Sequence, residues 1–581
     1  MEVDLGIYGL AALQKVAYKF TDRCFIHLKH RDDRIVEVRF RSKGSQLSLD
    51  SIAGEFCNEI LDQRLREIVG RESEPVRNLI LAHALSRVGL ANSGHPQNSD
   101  SCLNKSFRDL EDYQADGYRL LPMRFLWLDS DRYILTNLAG NYQVIKRDQL
   151  DALVNHRIPL HSTLYNDLKA NHFLADDDST VYAELLAAKY RTRQARLPEF
   201  TALHLFVVTL RCDHSCQYCQ VSRVSEDRTA YDMTPETADR AIDLMFQSPS
   251  PYLKVEFQGG EPLLNFPLIQ HVINEVNRRN DGREIQFVIT SNLSLLTDEM
   301  LDFCLDHRIN FSTSLDGPAE LHNKNRPRPN HDSHARAVDG IQRIRNRLGP
   351  NAVSALMTAT AESLKQPEAI IDEYVRLGFT SIFLRYISPY GFAAKTSAHI
   401  GYETGQFIEF FKRGLQHIIK LNVAGVRIHE VYSRLLLQRL LTPYATNYID
   451  LQSPAGIGMS VLVYNYDGDV YASDEGRMLA EMGDKTFRLG TVYNTHRDLF
   501  LDSDLLPMVF ETMLEGLPGC CDCALLPYCG SDPVFHHRTQ GDIVGHRPTS
   551  AFCKRNMELI RHLVRLLEDD PQAGSILRTW V

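Results

Sequence analysis

Leu13, Val16, Ala17 and Phe20 recur at the spacing of one helix face. The runs Cys24 to Leu28 and Ile35 to Phe40 then read as two strands turning at Arg31-Asp32-Asp33-Arg34. With further helices through Ile60 and Ile80, residues 1–88 are expected to form a small α+β unit. The apolar periodicity stops at Gly89. The stretch 89–117, centred on Asn92-Ser93-Gly94-His95-Pro96-Gln97-Asn98-Ser99, reads as a polar linker from which the first unit is separable. Strand-like runs resume at Tyr118 to Leu128 and Tyr133 to Leu138, with helical patterns at Asp148 to Val154 and Leu164 to Phe173. That is a winged-helix-like order for residues 118–195. A packing subdomain that merely covers the next domain has the same pattern.

Between residues 200 and 390 strand and helix alternate about six times. The strands fall at Leu203 to Thr209, Lys254 to Gln258, Gln286 to Thr290, Asn310 to Ser314, Val353 to Ala359 and Ser381 to Ile387. One intervening helix opens with Thr234 as N-cap and Pro235 in its first turn. Repeated βα units imply a parallel sheet, here short of eight strands. The expected fold is therefore α/β, a partial (β/α)6 barrel over 196–395 whose chemistry sits at the carboxyl ends of its strands. In the remaining segment, 396–581, a helix from Gln406 to Leu421 precedes a hairpin, Val461 to Tyr471, turning at Asp467-Gly468.

Composition changes this picture little. Hydrophobic residues make up 44% of the 581 and charged residues 24%, as in ordinary globular proteins. The net charge of −10 leaves no basic surplus for a nucleic-acid partner. The amino terminus lacks the segments of a signal peptide and no apolar run reaches membrane-spanning length, so a cytoplasmic protein without a membrane partner is expected. Twelve cysteines in such a chain argue for metal ligation before disulfides. Cys24, Cys57, Cys102 and Cys304 are scattered and read as buried free thiols.

Cys212, Cys216 and Cys219 form a CxxxCxxC triplet just after the first barrel strand. Iron–sulfur cubanes normally take four thiolates, so a triplet leaves one iron open. The amino and carboxylate groups of S-adenosylmethionine (SAM) suit that iron, and an electron from the cluster would cleave SAM to a 5′-deoxyadenosyl radical. Tyr218 offers an aromatic face for the adenine. A structural zinc completed by Asp213 or His214 is the alternative. The triplet resembles the signature of the radical SAM superfamily, and the later motifs keep that family's order. Gln258-Gly259-Gly260-Glu261-Pro262 resembles its GGEP motif, with glycines for close backbone approach and Glu261 for the SAM amino group. Asn292 after the third strand, and Ser314 and Asp316 after the fourth, look like ribose contacts, and Arg326 is suited to the SAM carboxylate.

A second group, Cys520, Cys523, Cys529 and Cys553, makes a closed set of four, with Cys521 spare. It resembles the SPASM extension of radical SAM peptide maturases, which typically carries seven cysteines and two auxiliary clusters. Here the cysteines expected near Ser473 and at Pro533 are absent, which leaves the second auxiliary [4Fe–4S] cluster alone and two clusters in all. Zinc in the same cage is the alternative. Residues 118–565 resemble HxsB-type maturases of the His-Xaa-Ser system. The first unit, around Leu13-Gln14-Lys15-Val16-Ala17-Tyr18, resembles the small HxsD protein of that system, so the chain resembles a fusion of the two. In such systems winged-helix-like modules resemble leader-peptide clamps that add a substrate strand to a sheet edge. The resemblance implies a ribosomally made precursor peptide, HxsA-like with His-Xaa-Ser repeats, as substrate. Its partners would be an electron donor such as flavodoxin or ferredoxin and a second radical SAM maturase. A side-chain cross-link is the expected modification. A sulfatase-maturating type oxidase and a zinc-stabilised peptide-binding adaptor are the rival readings.

Overall fold

The computed structural model describes residues 1–43, 48–85, 117–179, 181–195, 197, 201–221 and 227–581. The centre of the expected linker, 92–99, and Cys102 lie outside the described residues.

Six strands build the barrel: β1 (Leu203–Thr209), β2 (Tyr252–Gly259), β3 (Glu284–Thr290), β4 (Asn310–Ser314), β5 (Val353–Thr358) and β6 (Leu384–Arg385). They pair in parallel in the order β6-β5-β4-β3-β2-β1. Alternation decides their faces. Phe206, Val208, Val255, Phe257, Phe287, Ile289 and Phe311 are buried in the main core with the helices. Glu256, Gln258, Thr290, Ser312 and Ser314 fall on the opposite, half-buried register. There Glu256 accepts from Thr290 Oγ1 and from Gln258 Nε2, each at 2.9 Å. The expected strand from Ser381 to Ile387 is split. Ser381–Ile382 leaves the sheet to pair with His429–Glu430, and only Leu384–Arg385 continues the barrel.

The Asp-Gly hairpin does not stand apart from the barrel. Its strands, β7 (Val461–Tyr464) and β8 (Asp469–Tyr471), join the same sheet, β7 pairing in parallel with β1 and β8 antiparallel with both β7 and β9 (Arg488–Thr491). The apolar faces of Leu205 and Val207 are closed by Val461 and Val463. A strand from the carboxyl-terminal segment thus completes the wall begun at residue 203.

The amino-terminal unit is built on a three-stranded sheet, helix α1 (Leu10–Lys19) and helix α2 (Leu49–Leu85). The separate helices expected through Ile60 and Ile80 are one 37-residue helix that runs through Pro75. It crosses the expected boundary. Ile52, Phe56 and Ile60 fill the first unit's core, Leu65 and Val69 pack with Phe125 and Leu135, and Val76 and Ile80 pack with Leu121 and Leu186. Buried Asp62 on α2 bonds Tyr133 and Arg147, and Arg66 lies over the Phe125 ring. The first unit is therefore not separable at residue 88: its last helix supplies core to the second module. In that module the expected strand Tyr118–Leu128 breaks at Pro122 into Arg119–Leu120 and Met123–Trp127. A strand absent from the sequence reading, Tyr142–Lys146, makes the third of an antiparallel sheet ahead of the helices Arg147–Val154 and Thr163–Ala170.

Candidate functional site

The cysteine triplet sits on the loop after β1, at the carboxyl end of the sheet. Its root is fixed by charge. Arg211, 5% exposed, makes a bidentate pair with Asp232 at 2.7 and 2.8 Å, and Thr209 Oγ1 donates to the same carboxylate at 2.6 Å. The Gly259-Gly260-Glu261 turn lies directly on this root. Gly260 N donates to Thr209 O and Glu261 N to Arg211 O at 2.8 and 2.7 Å. A Cβ on Gly259 or Gly260 would stand 2.0 Å from Thr209 O or 2.2 Å from Arg211 O. Both glycines are needed for one backbone to meet another.

Each later motif clasps the loop in the same way. Asn292 Nδ2 donates to Asp213 Oδ1 at 2.8 Å and Ser294 Oγ to Asp213 Oδ2 at 2.6 Å, while Asp213 also pairs with His214 at 3.0 Å. These bonds hold the Asp213 carboxyl well below the usual carboxylate range despite its burial. Asp213 thus anchors the loop to the turn after β3. Ser215 N donates to Pro327 O, Gln217 N to Asn325 O and Phe392 N to Cys219 O.

Several residues expected to face SAM have protein partners in this structure. Fully buried Glu261 accepts from Leu263 N, Ser291 Oγ and Asn292 N, and burial pushes its carboxyl up to about 7. Asp316, also fully buried, accepts from Tyr218 Oη at 2.7 and 2.8 Å, and Arg326 Nη1 donates to that oxygen at 2.9 Å. Burial raises the Asp316 carboxyl against the opposing pull of Arg326. The Tyr218 ring packs on Ala393 and Ile400, and at 6% exposure it is no open platform. Pro262 is buried at the start of a short 3-10 helix. Ser314 is half-buried, and its hydroxyl has no hydrogen-bond partner among the described residues. The sequence lists the right groups, but a polar side chain shows a reader its donors and not its partner.

Cys212, Cys216 and Cys219 are half-buried free thiols. Burial raises Cys212, and it raises Cys216 to about 11 against the pull of Arg326. The second set is also brought together. Cys520, Cys523 and Cys529 lie on one loop, and Cys553 stands in the first turn of helix Ala551–Asp569, where burial and the other three thiols raise it. Asn556 Nδ2 lies 3.7 Å from Cys529 Sγ. Cys521 is turned to other company, its carbonyl accepting from Arg124 Nε at 2.7 Å. Among the described residues no trio of His, Cys, Asp or Glu converges on a single metal ion. A cubane instead bonds each thiolate to a different iron. Donor sets of three and of four cysteines fit that larger group.

Where the sequence lacks two expected cysteines, the fold places charge. Ser473 caps the helix beginning at Asp474, and Asp532 caps the one beginning at Pro533. Asp450, Glu475 and Asp532 line a small cavity of about 60 Å³ with Arg385, Arg555 and Tyr390. Burial raises all three carboxyls, against the pull of Arg385 and Arg555 at Asp450, and the neighbouring carboxylates add to it at Asp532 and at Glu475, which is pushed up to about 7.

A far larger cavity of about 880 Å³ lies at the amino ends of β1, β2 and β3, opposite the cysteine loop. Its walls include Arg77 and Leu81 of α2, Tyr190, Arg193, Lys254 and Arg439.

Comparison with known proteins bears on the family and the fold. The family model for the radical SAM superfamily matches residues 206–374, and that for the His-Xaa-Ser system protein HxsD matches residues 3–91. An uncharacterized protein of Methanocaldococcus jannaschii is 28% identical over 188 residues, 32% of this chain and 63% of that one. The radical SAM cyclopropyl synthase TigE of Paramaledivibacter caminithermalis is 24% identical over 202 residues, 32% of this chain and 40% of that one. The chain thus spans less than two thirds of either relative. The solved structure of native anSMEcpe with bound AdoMet and Cp18Cys peptide shares the fold, at TM-score 0.52 and 16% identity, covering 65% of this chain and 99% of that one. The barrel is a radical SAM domain. The chain thus joins a segment that matches the HxsD model, residues 3–91, to a barrel that matches the radical SAM model, residues 206–374. Among the described residues no helix is long and apolar enough to cross a membrane.

Proposed function

We propose that this chain is a radical SAM maturase that modifies a ribosomally made peptide, installing a side-chain cross-link. The observation that carries the reading is the loop of Cys212, Cys216 and Cys219, clamped at the carboxyl end of the barrel beside the Gly259-Gly260 turn and the free Ser314 hydroxyl. The three thiolates would hold a [4Fe–4S] cluster, and Cys520, Cys523, Cys529 and Cys553 a second. Held there, the first cluster would supply, with SAM, the one-electron chemistry that removes a hydrogen atom from a carbon. The chain's own residues do the rest. Backbone groups at Gly259 and Gly260 and the Ser314 hydroxyl would line the place of the nucleoside. Asn292, Glu261, Asp316 and Arg326 act through the loop they fix. The polar barrel face from Glu256 to Gln258, with Thr290, receives the peptide, which enters from the cavity under β1 to β3. Joining two side chains releases one further proton and one electron. Cys520, Cys523, Cys529 and Cys553 would hold the group that accepts that electron, and an electron donor of flavodoxin or ferredoxin type would supply the first.

The HxsD-type segment favours a His-Xaa-Ser repeat peptide as substrate. Mass spectrometry of such a precursor co-expressed with the chain tests the reading. Loss of two hydrogens, with the two modified residues remaining joined through fragmentation, is expected. The same loss confined to one residue would favour the sulfatase-maturase type of oxidation, and an unchanged precursor would overturn the proposal.

A further inference from the structure

The polar face of α1 is turned toward the second cysteine set. Its apolar face, Leu13 and Val16 with Phe20 just beyond, is spent in the first unit's own core. On the other face Lys15, Tyr18 and Lys19 follow one another at helical spacing; Lys15 and Tyr18 meet the segment that carries the cysteines, and Lys19 pairs with Glu59 of α2 at 2.5 Å. Tyr18 Oη accepts from Arg547 N at 3.1 Å. Its ring stands edge-on to His546, with centroids 5.0 Å apart. Thr21 Oγ1 lies 2.8 Å from His546 Nε2, and Lys15 Nζ lies 3.2 Å from Asp522 Oδ2, between two of the cysteines. Tyr18 also lies beside Gly519, the residue before Cys520, where an added Cβ would stand 3.5 Å from its ring.

The second module holds the same loop from another side. Arg124 Nε donates to Cys521 O at 2.7 Å, Thr136 Oγ1 to Ala524 O at 2.7 Å and Arg193 Nη1 to Pro527 O at 3.1 Å. Tyr528 Oη donates back to Gly140 O at 3.0 Å. Donors from residues 124, 136 and 193 therefore fix the backbone of a loop some 330 to 400 residues away in sequence. A loop held by so many distant groups is being positioned, because a short cysteine loop has no core of its own to set its shape.

We propose that the HxsD-type segment is the cover of the auxiliary cluster site: α1, through Tyr18, closes the solvent side of the Cys520, Cys523, Cys529 and Cys553 set and controls access to the group it holds. This rests on reading that set as a cluster site. Tyr18 is a positioning residue. It touches the ligand loop and none of the reacting atoms. The group of thiolates and irons carries net negative charge, so retention and redox behaviour respond to the cations and the dry surface around it. Opening the α1 contact admits water and small oxidants to one cluster only.

The test uses the full chain, anaerobically reconstituted, with Tyr18→Ala, Tyr18→Phe and Lys15→Glu. The readouts are the rate at which an iron chelator strips each cluster and the electron paramagnetic resonance signal of the reduced auxiliary group. The Tyr18→Ala protein is expected to lose the auxiliary iron about tenfold faster, at the low end of what outer groups contribute to metal retention. Tyr18→Phe, which keeps the ring, is expected to recover most of the difference, and the cluster of Cys212, Cys216 and Cys219 to be stripped at the wild-type rate in every variant. Lys15→Glu, whose side chain is half exposed, still folds and is expected to show a smaller change of the same sign. If wild-type protein holds about eight irons and all three variants match it in stripping rate and spectrum, the cover proposal is overturned. If wild-type protein holds only about four irons, the cluster-site reading has failed and the cover proposal with it.

Discussion

Adding one methyl group at Gly260 tests how the site is assembled. The new Cβ would lie 2.2 Å from Arg211 O, 2.6 Å from Arg211 C and 2.7 Å from Leu210 O. These are backbone atoms that no rotamer change can move aside. An ordinary carbon–oxygen contact needs about 3.3 Å or more, so the Glu261 turn and the root of the cysteine loop must part by about 1 Å. That separation breaks the bonds from Gly260 N to Thr209 O and from Glu261 N to Arg211 O. Leaving such buried groups unpaired costs about 1–3 kcal/mol each, a total of about 2–6 kcal/mol concentrated where Cys212 begins. Gly260→Ala is therefore expected to lower the thermal unfolding midpoint of the barrel and to abolish SAM-dependent 5′-deoxyadenosine formation, with loss of iron from the first site only. Gly70→Ala is the control. It lies in α2 with nothing within 4 Å of a built Cβ, and it should be neutral or stabilising by about 0.5–1 kcal/mol. A Gly260→Ala protein that melts with wild type and makes 5′-deoxyadenosine at the full rate would refute this account of the loop.

Cys212→Ala is expected to remove 5′-deoxyadenosine formation under reductant while leaving the melting curve nearly unchanged, because the thiol is on a loop and half-buried. The raised carboxyls of Asp450, Glu475 and Asp532 keep protons in the folded state that the unfolded chain releases. Stability should thus fall as pH rises from the ordinary carboxyl range through about 7, and Glu475→Gln should flatten the fall in melting scans from about pH 5 to about pH 8. A chain starting at residue 117 strips Leu65, Val69, Val76 and Ile80 from two cores. It is expected to be insoluble or markedly less stable by calorimetry, whereas wild-type melting would restore the picture of a separable first unit.

Much of the barrel is legible because its strands obey an alternation that burial enforces, and the motifs Gly259-Gly260-Glu261, Asn292 and Asp316 each follow a strand. Less legible are features where distant groups decide. Pro75 and the polar composition after residue 88 suggest interruption, yet Leu65, Val69, Val76 and Ile80 are each worth about 2–5 kcal/mol of burial in other modules, enough to keep α2 continuous through the proline. Val461 to Tyr464 announces a hairpin, but not that its first strand pairs with Leu203 to Phe206. Asn292 and Asp316 announce polar chemistry, but only the fold shows that Asp213 and Tyr218 absorb it. The Tyr18 contact with Arg547 joins residues more than five hundred positions apart and leaves no local signal.

Transfer of hydrogen from peptide to nucleoside tests the central claim most directly. Reconstituted protein would be incubated with SAM, a reductant and a His-Xaa-Ser repeat peptide deuterated at its side-chain carbons, and the 5′-deoxyadenosine analysed by mass spectrometry. Deuterium in the 5′-deoxyadenosine, absent with Cys212→Ala, is the predicted result. Turnover that yields only unlabelled 5′-deoxyadenosine, with the peptide unchanged, would contradict it.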